Sequence, residues 1–526
     1  MGLLRKWWSL DQSESDRTLG LETSEHYKER WISIRVFYCM GFLLYFAFNV
    51  VVTGLWPYLK TVSSFLLYPK VLLHICHEFQ LDPEANKTFL TYLFAMPSVM
   101  QLVFSPLFGW WTNRISSTRI PIAVSLVAFI AGHVLYAVVE DIPVHRKEIL
   151  LLSRAIAGLA TITSTIYRAY ISSATTVAER TMTVSNMNLA HTLGLLAGSA
   201  FQPVLSLLGK DGYCLFEFIR INMFSSVGWI GVALGSVVLA MMMPCVFKEH
   251  HIAVKEIVLK NSDAVMNGSR ISDDRLRYHP IGLMLMVFAL VMFSYKAVQS
   301  LLSPIALDQF GWSNEDSLFY LGILMTVGAL ISCILFLLLD PMCKRFTESN
   351  VLVYGAMFAL FVSQLLLIPF GSDPITSVAN EGNFTDGNST ITTIPGCPAT
   401  QEWCQWIPPI GKVQFTISYT LLCVSFSIGT TLSQAVFSKL LGPRPQGTWM
   451  ALLTCAGSAA RILGPGSVTI YVLFGTYWTF GAGTILAGLV FLWMWFYRDS
   501  LQPAKPAVTA ELAEELKVLN STKLRQ

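Results

Sequence analysis

Runs of about 20 apolar residues recur twelve times along this 526-residue chain, and no other feature limits its fold so sharply. Backbone polar groups inside hydrocarbon must be satisfied within the segment, so each run is expected to be a membrane-spanning helix. The expected spans are 35–59, 88–110, 120–140, 149–172, 183–208, 222–247, 279–302, 317–339, 351–370, 410–439, 448–474 and 478–498. Composition agrees. Charged residues make up 13% of the chain, against about 25% in soluble domains, while 53% are hydrophobic. A formal net charge of +3 is too small to point to nucleic acid, and ten cysteines over this length do not make a disulfide scaffold.

An even number of spans places both ends on one side. About 24 of the 36 lysines and arginines fall on the side of the termini, 8 on the other and 4 inside spans. The positive-inside rule then makes both tails cytosolic. Residues 1–34 form the N-terminal tail and 499–526 the C-terminal tail, in which Ala504–Leu519 has helical apolar spacing. Met1–Arg35 carries no apolar core segment, so no cleaved signal peptide is expected, and Lys6 breaks the myristoylation pattern after Gly2.

The only long charged segment between spans, 248–278, divides the runs into bundles 35–247 and 279–498. At an offset of 266, VAERTMTVSNMNLAHTLGLLAGS lies over GPRPQGTWMALLTCAGSAARILGP, matching Gly198 to Gly464 and Ser199 to Pro465. GWWTNR and LLDPMCKR end corresponding spans in the two halves. A duplicated helical bundle with a solute site near the membrane midplane is therefore expected, as in secondary transporters.

Glycosylation sequons at Asn86, Asn383 and Asn388 fall on the non-cytosolic side, the last two in the Gly/Ser/Thr/Asn-rich loop 372–409. Those at Asn267 and Asn520 fall on the cytosolic side and should be silent. In the same loop Cys397 and Cys404 frame CPATQEWC, and an oxidising lumen favours a disulfide over two free thiols. Val62–Gln80 is apolar enough for an interfacial helix but too interrupted for a span. Its valine start (GTN) and Phe-Gln end (TTTCAG) fit a retained in-frame intron as well as a luminal insertion.

The charged residues inside the spans are all basic: Arg154, Arg168, Lys296 and Arg461. Arg154 and Arg168 stand fourteen residues apart, close to four helical turns, which places them on about one face. Cations gathered without anionic partners are unfavourable empty and favourable around an anion, and guanidinium suits carboxylate, phosphate or chloride. The alternative is that each base binds helix C-terminal carbonyls or glutamines such as Gln101, Gln202 and Gln299. His133 and His191 also lie within spans, as neutral hydrogen-bonding groups or as proton sensors. Gly194, Gly198, Gly457 and Gly464 permit close helix contact. No nucleophile motif, cofactor fingerprint or metal-ligand cluster supports an enzyme; neither cofactor nor metal is expected.

The helix count and six-plus-six division resemble the major facilitator superfamily. SRAIAG in the fourth span is similar to its RxxxG element, and GWWTNRISSTR to its loop after the second span, with Asn113 where an aspartate is usual. ETSEHYKERWISIR, WPYL, GCPATQEWC and SKLLGPRPQGTWMALLTCAGSAARILGP resemble a lysosomal branch of that superfamily, over about Leu21–Arg498. The pattern is broken where Ser199 follows Gly198 in place of proline, and where Gln299 replaces an acidic residue. The resemblance implies an endolysosomal multi-pass protein involved in chloride conductance. No acidic dileucine or exposed tyrosine sorting signal stands in either tail. Three functions stay open: a transport protein for a small anion, most of all chloride; a proton-coupled carrier of a small organic solute such as a sugar or amino acid; and a ligand sensor that moves nothing. Membrane lipids are expected partners, nucleic acid is not, and the oligomeric state is open.

Overall fold

The computed structural model describes residues 20–64, 83–142, 145–209, 213–216, 219–256, 258–259, 277–371, 397, 401–442 and 444–501. All twelve expected runs are helical over most of their length. Nine helical segments among the described residues are long and apolar enough to cross a membrane. The differences from twelve have physical reasons. The fifth run forms one helix, Arg180–Ser206, but buries Thr183, Ser185, Asn186 and His191 and so reads as less apolar. The sixth is the short helix Ser225–Met241. The eleventh and twelfth join in one continuous segment, Gln446–Leu501. That segment turns at Gly475, whose φ of 76° and ψ of −171° suit glycine alone.

The described residues fall into two compact units. The first holds the chain up to Tyr278 together with Phe437–Cys455. Its first helix, Ser24–Ser64, packs along Arg180–Ser206 so closely that a Cβ on Gly194 would strike the Phe42 carbonyl oxygen. One on Gly198 would come 2.7 Å from the Phe46 carbonyl oxygen. Small residues thus set the helix spacing, as is common where lipid supplies no hydrophobic drive between helices. Next to Gly198, the Asn49 amide donates to the Ser199 hydroxyl at 2.5 Å and to the Leu195 carbonyl at 2.6 Å. The core is aromatic: Phe37 stacks on Tyr170 at 4.8 Å and meets the edge of Phe247 at 5.2 Å.

One end of this unit is closed by polar fastenings that replace missing helix-end hydrogen bonds. A single Glu249 oxygen accepts from the Thr118 and Arg119 amides and both the Ser117 and Thr118 hydroxyls, capping helix Arg119–Ala137. Asn113 accepts from the Gly447 amide at 2.9 Å and donates to the Thr448 hydroxyl at 2.9 Å, so an asparagine receives the N-terminus of helix Gln446–Leu463. Two short antiparallel strands, Tyr213–Phe216 and Ile219–Ile221, pair before the sixth run.

The second unit comprises His279–Val436 and Ala456–Gln502. Helix Asn314–Arg345 is capped by the Ser313 hydroxyl, which accepts from the Asp316 amide at 3.0 Å. Leu318, Phe319, Ile323, Leu330 and Ile334 along it are exposed, as on a helix face turned to lipid. Cys397 and Cys404 are joined by a disulfide. Of the sequons, Asn86 sits in helix Pro83–Ile115, while Asn383, Asn388, Asn267 and Asn520 lie outside the described residues. Most of Val62–Gln80 lies outside them as well.

Candidate functional site

The fourth run is not one uniform helix. It winds as α-helix over Arg146–Gly158, tightens to 3-10 geometry over Leu159–Ile162 and resumes as α-helix over Thr163–Ala174. A 3-10 turn advances about 120° per residue instead of 100°, so the phase assumed from fourteen-residue spacing is not carried through. Arg154 and Arg168 accordingly meet different neighbours.

Arg154 is 3% exposed, with its guanidinium 5.4 Å from the centre of the Phe48 ring. His133 and Tyr136 lie within its electrostatic reach. Its Nε and Nη2 are buried with no hydrogen-bond partner among the described residues. These two nitrogens share one edge of the guanidinium, from which parallel N–H groups grip a planar oxyanion. A ring face offers a cation about 0.5–2 kcal/mol, far less than the several kcal/mol lost when an ion leaves water.

Arg168 occupies a second setting in the same unit. Its Nη1 donates to the Thr454 hydroxyl at 2.8 Å, and its guanidinium lies 5.9 Å from the Tyr167 ring centre. His191 lies within its electrostatic reach. That imidazole stacks on Tyr45 at 4.0 Å and meets Tyr167 at 5.3 Å, with Nε2 buried and unbonded among the described residues. His133 bonds through Nδ1 to the Phe129 carbonyl oxygen at 2.9 Å, and its Nε2 is likewise buried and unbonded among the described residues.

In the second unit Lys296 and Arg461 lie close enough for their charges to repel. Lys296 donates to Gln299 at 2.7 Å, and Arg461 to the Ser458 hydroxyl at 2.9 Å. The glutamine alternative therefore holds for Lys296. The Gln101 amide nitrogen donates to the Thr161 carbonyl and the Ser164 hydroxyl.

Sequence reasoning missed two parts of the first unit. Thr454 and Tyr45 are ordinary residues for a membrane helix, and only the fold gives them meaning. Arg30 is fully buried, bonded to Glu22 at 2.6 Å and Glu179 at 2.8 Å, with the Ala174 carbonyl as a third partner. The glutamate in VAERT, between two expected spans, was the available signal for that latch.

The sequence pattern described as Major Facilitator Superfamily matches residues 37–385. The chain belongs to the major facilitator superfamily. Like other members of this superfamily it is a multi-pass membrane transport protein for small solutes. It is 32% identical over 503 residues to "Major facilitator superfamily domain-containing protein 8" of Xenopus laevis, covering 90% of this chain and 94% of that one. Among solved superfamily structures it is similar to the human organic anion transporter MFSD10 (TETRAN), with a TM-score of 0.58 and 15% identity over 88% of this chain and 99% of that one. The proton:xylose symporter XylE gives 0.62 at 12% identity, covering 93% and 99%. The E. coli fucose:proton symporter FucP gives 0.58 at 13%, covering 90% and 100%. At such identities these structures show the fold alone.

Proposed function

We propose that this superfamily member moves a small anion, chloride first, across the endolysosomal membrane. The buried Arg154 guanidinium carries the reading: two of its donors lack partners among the described residues, and no carboxylate among those residues pairs with it. Arg168, and Lys296 beside Arg461, add basic groups in the apolar spans. The resemblance of ETSEHYKERWISIR and SKLLGPRPQGTWMALLTCAGSAARILGP to a lysosomal branch supplies the compartment and the choice of chloride.

A second reading keeps the site and changes the cargo. The Nε and Nη2 edge of Arg154 suits a planar carboxylate, and His133 beside it offers a proton acceptor, which together fit a proton-coupled organic anion carrier. Current recordings from enlarged endolysosomes, with chloride and pH varied separately, decide between the two. A reversal potential that follows chloride supports the first reading. Current that follows protons and needs an added carboxylate supports the second. Under either, Arg168→Ala and Arg154→Met abolish flux while reaching the same membrane in normal amount. Normal flux in both variants removes these arginines from the pathway.

A further inference from the structure

Outside the transport site, His26, Glu29 and His250 bring one ligand atom each to within 4.8 Å of one another. His26 and Glu29 stand three residues apart on one face of helix Ser24–Ser64, and His250 arrives from the segment that follows the sixth run. We propose that these three side chains bind a divalent first-row transition ion of the zinc type.

The donor set suits that class. Two imidazoles and one carboxylate, with a position left for water, match the borderline character of zinc and are too nitrogen-rich for calcium or magnesium. The site is held in advance by its surroundings. The Nδ1 of His250 bonds to the Lys248 carbonyl oxygen at 2.9 Å, which leaves Nε2 as the ligating nitrogen, the outer-shell arrangement usual for metal-bound histidine. That Nε2 faces Glu29 Oε2 at 4.0 Å, while the other carboxylate oxygen takes the Lys248 ammonium at 2.8 Å. Lys248 itself is fastened: its amide donates to the Ser33 hydroxyl at 3.2 Å, and its carbonyl accepts from the Tyr170 hydroxyl. The neighbouring Arg30 is committed to Glu22 and Glu179. Sequence inspection expects no metal here because the third ligand comes from a distant part of the chain. The consequence is a clamp between the start of the first helix and the segment after the sixth.

The test is calorimetric titration of zinc chloride into the full-length protein, purified in detergent without a polyhistidine tag and stripped with chelator. The expected result is one saturable zinc site per chain. It weakens more than about tenfold in His26→Gln and in His250→Ala, and is unchanged in His251→Ala. His26 is exposed, so His26→Gln keeps the apo melting temperature and serves as the folded control if His250→Ala expresses poorly. Absence of saturable zinc heat in the wild type, or full affinity retained in His26→Gln, overturns the proposal.

Discussion

Arg30 and Arg154 show how differently one residue type can be accommodated out of water. Arg30 is closed on all sides by Glu22, Glu179 and the Ala174 carbonyl, so its charge is answered within the protein. Removing one partner of such a pair strands the other, at a cost of about 3–5 kcal/mol. Arg30→Ala should therefore lower the melting temperature in detergent sharply, and Arg30→Ala with Glu179→Gln should recover part of the loss. A thermal scan of the two variants checks this, since equal destabilisation by both would mean that Glu179 is not the partner that matters. The sequence showed the intramembrane bases plainly, because arginine in an apolar run is conspicuous. It did not mark Arg30, which falls in the expected N-terminal tail, because its partner Glu179 lies in a short connection and becomes buried only on folding.

Element positions were legible from apolar run length, while their internal geometry was not. The 3-10 turn at Leu159–Ile162 leaves no mark in hydropathy, yet it decides that Arg154 meets Phe48 and Arg168 meets Thr454. Gly194 and Gly198 are the counter-example, since small residues four apart announce a close helix contact. At Gly194 a side chain would enter the Phe42 backbone, which cannot yield, whereas nothing lies within 4 Å of a Cβ on Gly466. Gly194→Val should therefore abolish the folded, monodisperse protein, and Gly466→Ala should leave its elution profile unchanged. Size-exclusion chromatography of fluorescent fusions reads both. A well-behaved Gly194→Val protein would contradict the packing described for the first and fifth runs.

For the molecule as a whole, the distribution of lysine and arginine carries the expected orientation. By that expectation Asn383 and Asn388 are luminal and Asn267 is cytosolic. Replacing Asn86, Asn383 and Asn388 together by Gln should abolish the glycosidase-sensitive mobility shift, and Asn267→Gln should leave it intact; the opposite pattern inverts the topology. The first helix has a bearing at this scale too. Its 41 residues make a rod of about 60 Å, twice the roughly 30 Å hydrocarbon thickness. Tyr45 rides on that shaft, so turning the helix about its own axis by one residue's 100° would swing the phenol off the imidazole it covers.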